Sequence, residues 1–227
     1  MTPTTSPNAM NIEKARFNMV EQQVRPWDVL DGRVLDLMAS LPREQFVPSE
    51  YQSLAFADVR VPLGHGQEMM PPREEGRLLQ ALNVQPGDTA LEVGTGSGYV
   101  TALLASSARQ VYSVDIVPEF ITSAQAKLSS LNLGAKVTLE VGDASAGWDH
   151  YGPYDVIAIT GSLVKVPDSF KRSLKIGGRL FCIEGDLPAM TAKLITRTGD
   201  QSWTEESLFE TVVARLINAP QSPQFQF

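Results

Sequence analysis

Residues 90–100 read Ala-Leu-Glu-Val-Gly-Thr-Gly-Ser-Gly-Tyr-Val, and three glycines within five residues constrain this chain more than any other stretch. The apolar run 89–93 predicts a buried strand, and Tyr99-Val-Thr-Ala-Leu-Leu-Ala predicts the start of a helix. Between them Gly94, Gly96 and Gly98 carry no Cβ, so the turn can take positive φ and let a ligand lie against bare backbone. The spacing is Gly-x-Gly-x-Gly and not the Gly-x-Gly-x-x-Gly of dinucleotide enzymes.

Alternation follows. Apolar runs at 89–93, 110–116, 136–141, 154–160, 179–184, 192–196 and 207–216 predict seven strands. Helical stretches at 98–107, 118–131 and 167–174 separate the early ones. Pro118 suits the first helical position, Phe120, Ile121, Ala124, Leu128 and Leu131 share a face, and Gly134 follows the end. Strand–helix alternation implies a doubly wound, mostly parallel α/β sheet covered on both faces. No helix of normal length separates the last two runs, so the final strand is expected to be antiparallel. Upstream, 11–51 has a helical pattern, with Asp31 as an N-cap and Val34, Leu35, Leu37 and Met38 at helix spacing. The Pro- and Gly-punctuated stretch 61–72 reads as an ordered loop, and 73–82 as a helix entered through Pro72. The first ten residues, rich in Thr, Pro, Ser and Asn, read as a disordered tail. The division expected is a tail (1–10), an N-terminal helical segment with a loop (11–83), and a ligand-binding α/β domain (84–227).

A parallel sheet of this kind binds ligands beyond the C-terminal ends of its strands, at the switch point beside the first strand. The glycine turn with Thr95, Asp115 with Ile116, Asp143 with Ala144, and Thr160 all fall at such strand ends. Asp115 follows the first glycine by about 20 residues, where an acidic residue accepts from ribose hydroxyls. Asp143 is placed to accept from an adenine amine, and Thr160 to face the reacting group. Glu92, just before the turn, suits a cationic ligand better than a pyrophosphate. A nucleoside with a positively charged amino acid tail fits these residues, and S-adenosyl-L-methionine is such a molecule.

Composition narrows the alternatives. The chain has 227 residues, 43% hydrophobic and 20% charged, with a formal net charge of −7, so it lacks the clustered Lys and Arg that nucleic-acid backbones require. Its one cysteine, Cys182, lies in a strand-like run and reads as a buried apolar residue, with no intrachain disulfide or thiolate metal cluster possible. The two histidines, His65 and His150, have no metal-ligand spacing, so no metal is expected. The start of the chain has neither a charged nor an apolar segment of signal-peptide type, and no run suits a membrane span. A cytoplasmic enzyme is the expectation; nothing in the sequence sets its oligomeric state.

Over 19–216 the chain resembles the protein-L-isoaspartate O-methyltransferase family. The likeness is carried by Met19-Val-Glu-Gln-Gln-Val-Arg, Pro42-Arg-Glu-Gln-Phe-Val-Pro, Gly64-His-Gly-Gln, Leu91-Glu-Val-Gly-Thr-Gly-Ser-Gly-Tyr, Gly142-Asp, Tyr154-Asp-Val-Ile and Leu174-Lys-Ile-Gly-Gly-Arg-Leu. The resemblance implies a Rossmann-like methyltransferase fold, S-adenosyl-L-methionine as cofactor, and protein repair by methylation of an isoaspartyl carboxylate. One loop departs from the family pattern Gly-x-Thr-Ile-Ser-x-Pro, whose hydroxyls line the acceptor site. Here it reads Gly66-Gln-Glu-Met-Met-Pro-Pro, so Glu68 replaces Thr, Met69 replaces Ile and Met70 replaces Ser, with Gln67 beside them. A thioether is a weak acceptor and no donor, and an anion near Glu68 meets like charge. Three readings stay open on that loop: an isoaspartyl methyltransferase, a paralogue acting on another peptide or small-molecule acceptor with Glu68 or His65 as base, and a non-catalytic binder of cofactor or damaged peptide.

Overall fold

The computed structural model describes residues 7–220. Helix α1 (Pro7–Met19) begins inside the stretch expected as a tail; residues 1–6 lie outside the described ones. The helical pattern of 11–51 is not continuous. It breaks into α1, a π-helical turn (Val20–Val24), a 3₁₀ turn (Arg25–Trp27), α2 (Gly32–Ser40) and further 3₁₀ turns (Arg43–Gln45, Ser49–Leu54). Pro26, Pro42 and Pro48 interrupt it, and Asp28 takes a left-handed conformation. Asp31 caps α2 as expected, its carboxylate accepting from the Arg33 N–H at 2.9 Å.

The expected loop 61–72 is instead a hairpin, β1 (Val61–Gly64) and β2 (Gln67–Met69), followed by α3 (Pro72–Leu82). Its reversal uses three consecutive positive φ values at Gly64, His65 and Gly66. Glycines that read as loop punctuation thus close a two-stranded turn.

The glycine-led strand, β3 (Thr89–Val93), is buried throughout. It is followed by α4 (Tyr99–Ser107), β4 (Gln110–Asp115), α5 (Pro118–Ser130), β5 (Val137–Val141) and β6 (Tyr154–Leu163). Then come α6 (Asp168–Arg172), β7 (Leu174–Asp186), β8 (Ala189–Gly199) and β9 (Ser202–Thr211). The sheet order is β5-β4-β3-β6-β7-β8-β9. The first five in this order pair in parallel, β8 reverses against β7, and the last strand, β9, is antiparallel to β8. The switch point lies at β3, from which β4 and β6 depart on opposite sides.

Two expectations at the C-terminal end are corrected. The helix expected over 167–174 is only α6, and β7 starts at Leu174, because the register shift between Tyr154 and Val156 accommodates the Ile-Gly-Gly stretch that hid the strand. The strand expected over 207–216 ends at Thr211. Beyond it the chain crosses to β6: Ser162 N–H donates to Ala214 O at 2.9 Å, Leu216 N–H to Ser162 O at 3.0 Å, and Ser162 Oγ to Val213 O at 2.9 Å.

Two cores flank the sheet. One joins Met19, Val24, Met38 and Phe46 of the N-terminal segment to Ala90, Val156 and Phe181, so that segment is packed as a layer on the sheet. The other gathers Leu91, Val93, Ile157, Ile159, Phe170 and Cys182. Burial pushes the Cys182 thiol upward, away from thiolate chemistry. Among the described residues no helix is long and apolar enough to cross a membrane, and no three His, Cys, Asp or Glu are grouped to hold a metal.

Candidate active site

A crevice of about 850 Å³ opens beyond the ends of β3, β4 and β6. The glycine turn, the β1–β2 hairpin and the 213–217 segment all contribute to its wall. Gly94, Gly96 and Gly98 all have positive φ. At Gly98 the need for glycine is twofold: φ is +84°, and a Cβ would meet the Ala124 Cβ at 2.9 Å. Gly98→Ala combines the left-handed penalty of about 1–2 kcal/mol with that contact. A loss of about 2 kcal/mol is expected, read as a melting point lower by about 4–8 °C.

Glu92 is fully buried. Its Oε2 accepts from Thr101 Oγ1 and Ser113 Oγ, both at 2.5 Å, while Oε1 is buried without a partner. Burial pushes this carboxyl from 4.5 up to about 8, against the pull of the two hydroxyls. The folded state therefore holds a proton that the unfolded chain has released between those values. That contribution is complete below about pH 4.5 and lost as pH rises through about 8. Glu92→Gln keeps an acceptor for both hydroxyls and has no charge to bury. Thermal melts from pH 5 to pH 9 should show the variant gaining on the wild type as pH rises; parallel curves would place the titration elsewhere.

Asp115 is 8% exposed; its Oδ2 accepts from Gly96 N–H and its Oδ1 from Val117 N–H, each at 2.9 Å. It thus ties the end of β4 to the glycine turn, and burial holds its carboxyl above the usual range despite these donors. Ile116, Thr95 and Ala144 line the crevice with it. Asp143 is exposed on the crevice wall, accepting from Ser145 N–H and from the Asn218 amide, both at 2.9 Å, which hold its carboxyl low.

Among the catalytic candidates, the structure places Thr160 differently from the sequence reading. Its hydroxyl turns onto the glycine turn, 2.7 Å from Gly94 O and 3.0 Å from Val93 O, so its donor is used as a brace and not on an acceptor. His65 is exposed at the hairpin tip with its ring edge-on to Phe120 at 5.5 Å, and neither it nor Gly66 lines the crevice. Gln67, Glu68, Met69 and Met70 do line it; Glu68 is exposed at the rim, and both methionine side chains are buried.

Sequence reading missed Phe120, the 213–217 segment, and a buried ion pair. Arg43 is fully buried against Glu75 of α3, with Nε to Oε2 at 2.9 Å and Nη2 to Oε1 at 3.2 Å. A signal existed: Glu75 stands three, four and seven residues before Leu78, Leu79 and Leu82, on the apolar face of α3. A carboxylate on such a face needs a buried partner.

The donors and charges fit one kind of ligand. The carboxyls of Glu68, Asp115 and Asp143 line the crevice with no Lys, Arg or His. Beside them Glu92, kept neutral by burial, leaves Oε1 without a partner, a setting that suits a cationic nucleoside; Glu75, also at the wall, is taken up by Arg43. Fold and site define an S-adenosyl-L-methionine-dependent, Rossmann-like methyltransferase. Residues 15–216 match the family model described as protein-L-isoaspartate (D-aspartate) O-methyltransferase, and the chain belongs to that family. Relatives named protein-L-isoaspartate O-methyltransferase include one from Magnetococcus marinus, 36% identical over 91% of this chain and 89% of its own length. Another, from Aeropyrum pernix, is 37% identical over 90% of this chain and 80% of its own length. A crystal structure from Plasmodium falciparum, assigned as a protein-L-isoaspartate O-methyltransferase in complex with S-adenosyl-L-homocysteine, has the same fold. Its TM-score is 0.76 over 88% of this chain and 97% of its own, at 18% identity.

Proposed function

We propose that this enzyme methylates the isoaspartyl carboxylate of damaged cytoplasmic protein or peptide, binding its cofactor over the 94–98 turn. The observation that carries this reading is the crevice itself: an apolar and polar lining over bare backbone whose only ionisable side chains are acidic, with the family's acceptor loop as its rim. Asp115 accepts from the ribose hydroxyls with the lone pairs its two backbone bonds leave free. Glu92 faces the positive end with its unpartnered oxygen, Asp143 and Ala144 border the adenine, and Thr95, Gly96 and Ile116 shape the floor. When bound, S-adenosyl-L-methionine supplies a methyl group on a sulfonium that leaves as a neutral thioether. A carboxylate acceptor is ionised at pH 7 and needs no base. The chain's contribution is then alignment and exclusion of water, and none of the crevice carboxyls is needed as a base.

The buried methionines and the Glu68 carboxylate favour a second reading, a different acceptor on the same scaffold. Labelled-methyl transfer to an isoaspartyl peptide separates the two. Transfer supports the first; none at high enzyme concentration, with S-adenosyl-L-homocysteine still bound in calorimetry, rules it out and leaves another acceptor or a binder without turnover.

A further inference from the structure

Arg43 does more than neutralise Glu75. Its Nη2 donates to Met70 O at 2.7 Å and its Nη1 to Ala55 O at 2.5 Å, while the guanidinium lies 5.5 Å from the centre of the Tyr99 ring. Met70 is the single residue joining β2 to Pro71 and Pro72 at the entry of α3. Tyr99 is the first residue of α4, directly after the glycine turn, and its buried hydroxyl has no partner. One guanidinium therefore touches the acceptor rim, the end of the 3₁₀ turn Ser49–Leu54 that precedes the hairpin, α3 and the helix behind the cofactor turn.

We propose that Arg43 is a positioning residue for methyl transfer: it fixes the acceptor loop, through the Met70 carbonyl, against the helix that follows the cofactor turn. The proposal rests on the methyltransferase reading above for its kinetic arm. A buried ion pair is weak evidence of stability, since well-packed apolar replacements are often neutral or better. Four forked donors to two carbonyls and one carboxylate make sense for geometry, and a lysine's point charge cannot reproduce the fork. Small misplacement of an acceptor costs about a hundredfold in rate.

Three variants test it, each checked by thermal melt. Arg43→Lys keeps the charge and loses the fork. Arg43→Met with Glu75→Leu removes both charges together, avoiding an unpaired buried carboxylate. Glu75→Gln leaves the Met70 and Ala55 bonds in place. The first two are expected to bind S-adenosyl-L-homocysteine within about threefold of wild type and to keep KM for an isoaspartyl peptide, while kcat falls about 10- to 100-fold. Glu75→Gln is expected to hold kcat within about twofold. Hydrogen exchange of the 67–70 amides reads the loop without any acceptor. It should quicken about tenfold in the first two variants and not in the third. Unchanged exchange in Arg43→Lys, or equal losses of kcat in Arg43→Lys and Glu75→Gln, overturns the proposal. A wild type that transfers to no isoaspartyl peptide fails the acceptor reading instead, and the exchange pattern still decides the role of Arg43.

Discussion

Asp115→Ala is expected to weaken S-adenosyl-L-homocysteine binding a few hundredfold in calorimetry. The carboxylate offers about four acceptor sites, of which Gly96 and Val117 N–H groups use two. Two ribose hydroxyls on the remainder, each a hydrogen bond to a charged group at about 1.5–2 kcal/mol, the lower part of its usual range, sum to about 3–4 kcal/mol. At about 1.4 kcal/mol per decade this gives a factor of 10² to 10³. Part of the effect arrives indirectly, because the glycine turn loses the tether to β4 that Asp115 supplies. Asp115→Asn retains the shape and one carbonyl acceptor, so its loss should be nearer about tenfold. Unaltered affinity in Asp115→Ala would reduce the residue to a turn brace and move the ribose elsewhere.

The second large effect is a gain. Met70→Ser with Glu68→Thr restores two hydroxyls to the crevice rim where the family pattern has them. One new hydrogen bond to an acceptor carboxylate is worth about 1.5–3 kcal/mol, or about 10- to 100-fold in kcat/KM. Removing the Glu68 charge adds about 1 kcal/mol at most, because that side chain is exposed and screened by salt. Met70 is 5% exposed, so the serine leaves a cavity with a stability cost of about 2–4 kcal/mol. Transfer to an isoaspartyl peptide should therefore rise at a temperature well below the lowered melting point. A folded double variant no faster than wild type would show that the rim does not limit this reaction.

The sequence by itself determined the parts in which neighbours along the chain satisfy one another. The strand, glycine turn and helix at 89–107, the Asp31 cap and the proline-led α5 were all legible, because each is a local match of periodicity, turn chemistry and capping, and strand–helix alternation added that the sheet is mostly parallel. The same holds for the strand ends that bring Glu92, Asp115 and Asp143 to one crevice, since a parallel sheet aligns those ends by topology. Only the tertiary structure decided what each side chain does there. Thr160 turned from the acceptor to the backbone of the glycine turn, and His65 went to an exposed hairpin tip. Arg43 came to meet Glu75, Met70 and Ala55 across 32, 27 and 12 residues, and residues beyond Thr211 closed the crevice by pairing with β6. Those are contacts between segments distant in sequence, fixed by burial and by the need of buried polar groups for partners, and no local pattern encodes which partner is found.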